Sequence, residues 1–333
     1  MRVAMPINWN LDASSLTNIV RNNFRELGKI MNDTKSFTLA AIGIQSTGLG
    51  DFNQHFDLLH IPNMGGYKFA LTASFSCDNI IFGCSGIDEI IYGKEILVWP
   101  GTWRNVKRQS KLDISYWKKY AHKIKHIHLP ANSELNEFHE YFDIPYEKMS
   151  VINHGVNHDF FKPTNDKENT REKILSKLKI PNDPYFLHIG ENNYVRKNLK
   201  RIGEAYEQAK YSDSKNNFKH NLIIAGKHYP AIEKELSQIG GIYFLDWITD
   251  DDLLQLIQGS DAFLLPSIHE GFGMPLVESM ACGVPCMSSN RHATPEVLSG
   301  AGLLVDPLDI NDIANSLLKL DQDKKLLKDL SDK

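Results

Sequence analysis

Cysteine is scarce in this chain: four in 333 residues, at 77, 84, 282 and 286, with no Cys-x-x-Cys pair. That density excludes a disulfide framework and predicts small buried thiols in a reducing compartment. No uninterrupted apolar run approaches the ~20 residues of a membrane-spanning helix. The opening Met-Arg-Val-Ala-Met-Pro-Ile reads as a short strand and lacks the layout of a signal peptide. Charge of one sign is not in surplus either. Lys and Arg number 37 against 41 Asp and Glu, a net −4, which exerts no global pull on nucleic acid. Internal repeats and low-complexity tracts are absent. The expectation is a soluble, cytoplasmic protein that binds no nucleic acid.

What is present suffices for two domains of ordinary size, since 42% of the residues are hydrophobic. The second half alternates short apolar runs with helical stretches. Runs at Tyr185–Ile189, Asn221–Ala225, Ile242–Leu245, Ala262–Leu265, Val284–Ser288 and Gly302–Val305 are expected strands. Helices are expected near Asn198–Lys210, Ala231–Gln238, Asp250–Gln258, Pro275–Cys282, Pro295–Leu298 and Ile310–Leu320. This rhythm implies βα units on a parallel, doubly wound sheet, whose ligands bind at the C-terminal ends of the strands.

The first half is less regular but still α/β. Strands are expected at Arg2–Ile7 and Phe37–Ile44, with a helix near Ser14–Leu27 between them. Further apolar runs lie at Phe56–Ile61, Asn79–Phe82 and Ile96–Trp99. The polar, proline-bounded stretch Phe160–Pro184 contains the expected hinge and a short helix near Arg171–Leu178. The domains are accordingly set at 1–163 and 164–333.

The most informative string runs from Ser267 to Glu278: Ser-Ile-His-Glu-Gly-Phe-Gly-Met-Pro-Leu-Val-Glu. The strand Ala262–Leu265 leads into it and Pro266 closes that strand. Gly271 and Gly273 let the backbone approach a ligand closely. Pro275 suits the first helical position, where a missing N–H costs nothing. The free N–H groups and positive dipole end of the helix attract phosphate. Glu270 and Glu278 flank this cradle as acceptor-only groups, matching the hydroxyls at either end of a nucleotide-sugar. A strand–glycine loop–helix unit alone is equally compatible with a purely structural turn.

The full string, continued by Ser-Met-Ala-Cys-Gly-Val-Pro, resembles the Glu-x7-Glu signature of retaining glycosyltransferases of the GT-B fold, in particular glycosyltransferase family 4. Other stretches are similar to the same family: Ile144 to Pro163, Phe186-Leu-His-Ile-Gly190 with Arg196-Lys197-Asn198, Asn221 to Gly226, Asp261 to Pro266, Ala293-Thr-Pro-Glu-Val, and Gly302 to Pro307. The likeness covers roughly residues 120–320. It implies two Rossmann-like doubly wound domains facing each other across a cleft, an acceptor-side domain first and a donor-binding domain second. It implies transfer of a hexose, mannose or glucose, from an NDP-sugar with retained anomeric configuration and no bound metal or other cofactor. GDP-mannose is the first candidate donor.

Cleaving the sugar–phosphate bond places negative charge on the leaving diphosphate, so cations must meet it. Arg196 and Lys197, after the strand end at Gly190, are the expected ones, and Lys197 matches the family's phosphate-binding lysine. A solvated Arg-Lys pair at a helix start is the plain alternative. Glu270 is expected beside the transferred sugar and Glu278 at the ribose hydroxyls. Gly190 and the run Gly271, Phe272, Gly273, Met274, Pro275 and Leu276 complete the expected donor site, with Phe272 also readable as a packing residue. Trp247, in Asp246-Trp-Ile, either borders the nucleobase or simply packs.

Three departures from the family pattern stand out. Glu191 occupies the position where many relatives carry an arginine. Pro100 stands where a sugar-facing histidine is common, with His60 the other histidine considered. The loop Asn8–Ser15 lacks paired glycines, leaving Asp12 or Ser14 to cap the helix that follows. The weakened first-domain features, with an end at Lys333 where relatives usually continue into a further helix, leave a second function class open: a non-catalytic glycosyltransferase-like subunit that stabilises or regulates an active partner. The intact glutamates and Arg196-Lys197 argue against it.

The acceptor is expected to be a glycan or a lipid-linked molecule. Residues 103–125 concentrate Arg104, Lys107, Arg108, Lys111, Lys118, Lys119, Lys123 and Lys125 with Trp103, Tyr116, Trp117 and Tyr120. Basic charge beside aromatics suits a peripheral membrane contact or a lipid phosphate. A solvated helix with inward-packed aromatics fits the same string.

Overall fold

The computed structural model describes four strands of the first 83 residues by their backbones. It also describes Lys29, Met31, Asp33, Ile114, Ser115 and residues 117–119. From Ala121 to Lys333 the description is continuous apart from 191–194, 213–217 and 228–229. The expected helix near 14–27, the run 96–99, Cys77, Cys84, Pro100, Glu191 and the loop 8–15 lie outside the described residues.

Two compact units emerge. The described part of the first ends at Asn153, and the second runs from His154 to Lys333. The boundary expected at 163/164 thus falls within the second unit, because the segment from His154 onward packs with it.

In the first unit, β1 (Arg2–Ile7), β2 (Thr38–Gly43), β3 (Leu58–Ile61), β4 (Ile80–Gly83), β5 (Ile124–Leu129) and β6 (Met149–Val151) form one parallel sheet in the order β2-β1-β3-β4-β5-β6. Strand β5 begins at the end of the stretch read as a basic patch. Its Ile124, Ile127 and Leu129 are buried while Lys125 is exposed. Helix α1 (Asn132–Phe142) was also not anticipated. Its Phe138 and Phe142 bury against Trp117, with ring centroids 5.9 and 5.2 Å away. Trp117 therefore packs inward, whereas Lys118 is half-exposed and pairs with Asp143 at 2.7 Å.

The second unit has β7 (Tyr185–Ile189), β8 (Asn221–Ala225), β9 (Ile242–Leu245), β10 (Ala262–Leu265), β11 (Cys286–Ser289) and β12 (Gly302–Val305). All pair in parallel, in the order β12-β11-β10-β7-β8-β9. The helices are α2 (Lys167–Leu178), α3 (Leu199–Ser212), α4 (Pro230–Leu236), α5 (Asp250–Gly259), α6 (Met274–Ala281), α7 (Thr294–Leu298), α8 (Ile310–Gln322) and α9 (Lys324–Ser331).

The continuous apolar runs follow from burial on both faces of this sheet. Phe186, Leu222, Ile224 and Leu264 point into one core with α3 and α8. Their neighbours Tyr185, Leu187, Ile223, Phe263 and Leu265 point into the other core, with α2, α5 and α6. Side-chain oxygens of Asp166, Thr249, Asp309 and Asp323 accept the first free N–H groups of α2, α5, α8 and α9.

Sheet order decides where a ligand can sit. The chain moves from β7 outward through β8 and β9, then returns to the other side of β7 with β10. Strand order therefore reverses between β7 and β10. Loops leaving two such neighbours go to opposite faces and open a crevice at their C-terminal ends, the usual ligand position in doubly wound sheets.

Candidate active site

The loops leaving β7 and β10 carry the residues singled out by the sequence. After β7 come Gly190 and then a 3-10 turn, Val195–Lys197; after β10 come Pro266 and the loop to Gly273. The two loops are joined directly, as Ile268 N–H donates to the Arg196 carbonyl at 2.7 Å.

Glu270 is the meeting point. Its Oε1 accepts from Lys197 Nζ at 2.6 Å and its Oε2 from Arg196 Nη1 at 3.2 Å. Glu270 and Lys197 are both only 6% exposed, so this is a buried ion pair with a second cation at its rim. Burial alone would push the Glu270 carboxyl up, but the charges of Lys197 and Arg196 override it and hold the pKa at about 2. The carboxylate and both cations thus form one electrostatic unit. Arg196 and Lys197 do not open α3 as expected from the sequence; they sit in the 3-10 turn just ahead of it.

Gly273 caps α6 with φ 91°, a left-handed conformation that a side chain would strain. A Cβ there would also come within 3.4 Å of Leu265 Cδ2. Helix α6 begins at Met274, so Pro275 is its second residue rather than its first. The shift matters little, because proline has no N–H and the first-turn N–H groups have no partner four residues back in the helix.

Leu276 departs from expectation. Its side chain is fully buried among Leu265, Cys286 and their neighbours, and its N–H donates to the Gly273 carbonyl at 2.8 Å. Neither group is presented to a ligand. Phe272 is likewise 7% exposed, with its ring edge-on to His154 at 5.1 Å. The phenyl group packs under the loop and leaves Phe272 only its backbone to offer.

Glu278 lies one turn into α6 and is half-buried. Burial, reinforced by the negative charge of Asp250, pushes its pKa up to about 7. Asp250 opens α5, and the loop before it carries Trp247, which is 67% exposed. The packing alternative for Trp247 fails, since two-thirds of it faces solvent. At the end of β8, Gly226 has φ 109°, and a Cβ there would collide with the Gly190 carbonyl oxygen. The residue after β7 is thus held by a backbone approach that only glycine permits. That constraint and the role of His154 beside Phe272 were not read from the sequence. Gly226 could have been flagged as a glycine closing a strand.

Neither described cysteine brings chemistry here. Cys282 and Cys286 are buried free thiols whose pKa values burial pushes upward.

With a parallel sheet in each unit and the phosphate-type cradle at the switch point of the second, the architecture is that of the GT-B class of glycosyltransferases. The nearly full-length likeness to a sucrose-phosphate synthase from Thermosynechococcus elongatus agrees: TM-score 0.73 at 15% identity, covering 99% of this chain and 92% of that one. Residues 150–333 match the family described as glycosyl transferases group 1, and the chain belongs to that family. Among proteins of known activity it is similar to O-antigen chain mannosyltransferase B of Escherichia coli, 32% identical over 157 residues. That alignment covers 45% of this chain and 40% of the relative. It is also similar to the serotype-specific mannosyltransferase WbdA of Escherichia coli, 27% identical over 208 residues. There 60% of this chain aligns with 25% of the relative. The chain therefore spans well under half the length of these mannosyltransferases.

Proposed function

We propose that the protein is a retaining hexosyltransferase that needs no metal. It moves mannose, from GDP-mannose as the first candidate donor, to a glycan or lipid-linked glycan of the O-antigen type. The observation that carries this reading is the clasp of Glu270 by Lys197 and Arg196 at the switch point of the sheet. Two cations at that place supply the charge a departing diphosphate requires, the task a divalent ion performs elsewhere.

The expected geometry assigns each group a step. The helix start at Gly273–Pro275 and the cations Arg196 and Lys197 receive the diphosphate. Glu278 accepts hydrogen bonds from the ribose hydroxyls. Glu270 orients the hydroxyls of the transferred sugar and offsets positive charge developing at its anomeric carbon. The acceptor oxygen bonds to that carbon on the face from which the diphosphate departs. As the carbon–oxygen bond to phosphate breaks, its electron pair stays on the phosphate oxygen, which takes the acceptor's proton. Configuration is then retained.

The mannose assignment draws on the two mannosyltransferase relatives, and the glycan acceptor on the O-antigen chain named for one of them. A peripheral membrane contact through residues 103–125 fits a lipid-linked acceptor. No helix among the described residues is long and apolar enough to cross a membrane.

The test is transfer of radiolabelled mannose from GDP-mannose, with UDP-glucose in parallel, to lipid-linked glycan extracts, followed by NMR assignment of the product anomer. Glu270→Ala and Lys197→Ala should each abolish transfer while remaining folded. Inverted product would refute retention. Nucleotide binding with neither transfer nor donor hydrolysis would favour the non-catalytic subunit, the reading to which Pro100 and the loop Asn8–Ser15 lend support.

A further inference from the structure

Asn198 follows Lys197 directly and has φ 62°, a left-handed backbone that asparagine tolerates better than most residues. It is 3% exposed, and each of its polar side-chain atoms is engaged. Nδ2 donates to the Pro266 carbonyl at 2.9 Å and to the Pro307 carbonyl at 2.6 Å. Oδ1 accepts from Arg201 Nη1 at 3.0 Å. Along the backbone, Asn198 N–H closes the 3-10 turn by donating to the Val195 carbonyl at 2.9 Å. Its own carbonyl accepts from Ile202 N–H in the first turn of α3, at 3.1 Å.

One amide therefore ties three strand ends together. Pro266 immediately follows β10, Pro307 lies just beyond β12, and Asn198 itself belongs to the loop leaving β7. With the Ile268–Arg196 bond, this leaves the turn carrying Arg196 and Lys197 little freedom relative to Glu270. Neither glycine nor aspartate serves as well. Glycine accepts the backbone angle but donates nothing. Aspartate keeps the shape but would set a carboxylate against two carbonyl oxygens, which repel it.

We propose that Asn198 is the positioning residue for the cation pair. It fixes Arg196 and Lys197 at the spacing needed to hold a diphosphate beside Glu270. The inference rests on reading this site as a nucleotide-sugar site. It adds a residue that touches no substrate and acts through the two that do.

The readout is the ratio of monophosphate to diphosphate dissociation constants, measured by calorimetry for the guanosine, uridine and adenosine nucleotides. Cations placed for a diphosphate make that ratio large in the unaltered protein. In Asn198→Gly and Asn198→Asp the ratio should fall at least tenfold, with monophosphate affinity changed less than threefold. A purely structural role would weaken both nucleotides together and leave the ratio as it was, overturning the inference. So would two variants that both fail to fold by circular dichroism. A ratio near one in the unaltered protein would overturn the reading of the site itself, and this inference with it. A large ratio there that survives in the variants would overturn this inference alone.

Discussion

Lys197 Nζ lies 2.6 Å from Glu270 Oε1, with both side chains buried and Arg196 completing the pair from its more exposed side. Removing one member of such a pair leaves a charge in a medium that solvates it poorly. Lys197→Ala should therefore cost about 3 kcal/mol, the lower end for broken buried pairs because Arg196 remains. Glu270→Gln should cost more, since it leaves two neighbouring cations, one of them buried, without their shared counter-charge. Chemical denaturation of both variants at neutral pH checks the order, and equal losses would contradict it.

The same pair sets an acid limit. The Glu270 pKa of about 2 lies below its ordinary value of 4.5. Stability from this group is therefore complete above pH 4.5 and drains away as pH falls from there toward 2. Thermal melts between pH 5 and 3 should show a steeper fall for the unaltered protein than for Glu270→Gln.

Glu278 behaves in the opposite sense. Its pKa of about 7 means that it changes charge across the physiological range, with Asp250 helping to keep the proton on. Ribose hydroxyls donate best to the ionised carboxylate, so nucleotide affinity should rise between pH 6 and 8. Asp250→Asn should move the midpoint of that rise to lower pH, and Glu278→Gln should flatten it. Calorimetric titrations at four pH values test all three. Affinity independent of pH in the unaltered protein would remove Glu278 from the ribose site.

Much of the second unit was legible in the sequence, and the physical reason is burial on both faces of its sheet. Strands such as Ala262–Leu265 are short apolar runs closed by glycine, proline or aspartate, so five of the six expected strands agree at both ends with the structure. The exception is β11, which begins at Cys286 rather than Val284. Pro285 precedes it and has no N–H to donate, although its carbonyl accepts from Phe263. The first unit was harder to read. Strand β5, Ile-Lys-His-Ile-His-Leu, mixes polar with apolar residues and was obscured by the lysines around it. At the site, the carboxylates and cations were visible because their motif is contiguous on each loop. Asn198 and Gly226 were not, since their importance comes from partners 68 and more residues away, or from a backbone approach that sequence does not display.

Far from the proposed chemistry, at the N-terminal ends of the strands, His220 is held between two carboxylates. Its Nδ1 lies 2.6 Å from Asp321 Oδ1 and its Nε2 3.5 Å from Asp261 Oδ2, with the ring stacked on Phe186 at 4.3 Å. Burial pulls the imidazole pKa down, but the hydrogen bonds and charges of Asp261 and Asp321 win and raise it above 6.5. A raised folded pKa gives stability that is complete below 6.5 and lost as pH climbs through the folded value. The melting temperature should therefore decline above pH 6.5, and His220→Gln should lose that slope while being less stable at pH 6. Identical slopes for the two proteins would show that the imidazole stays neutral.

Two glycines separate backbone strain from steric approach. Gly226 and Gly300 both have left-handed φ, 109° and 81°. A Cβ at Gly300 would meet nothing within 4 Å, whereas one at Gly226 would collide with the Gly190 carbonyl oxygen. Gly300→Ala should cost only the conformational term, about 1 kcal/mol. Gly226→Ala adds displacement of a neighbouring strand end, for a total of about 3 kcal/mol. It should also weaken nucleotide binding, because the displaced atom belongs to the loop that leads into Arg196 and Lys197. Denaturant midpoints measure the first difference and calorimetry the second. If Gly226→Ala were as mild as Gly300→Ala, the close packing of β7 and β8 at their ends would not be what holds Gly190 in place.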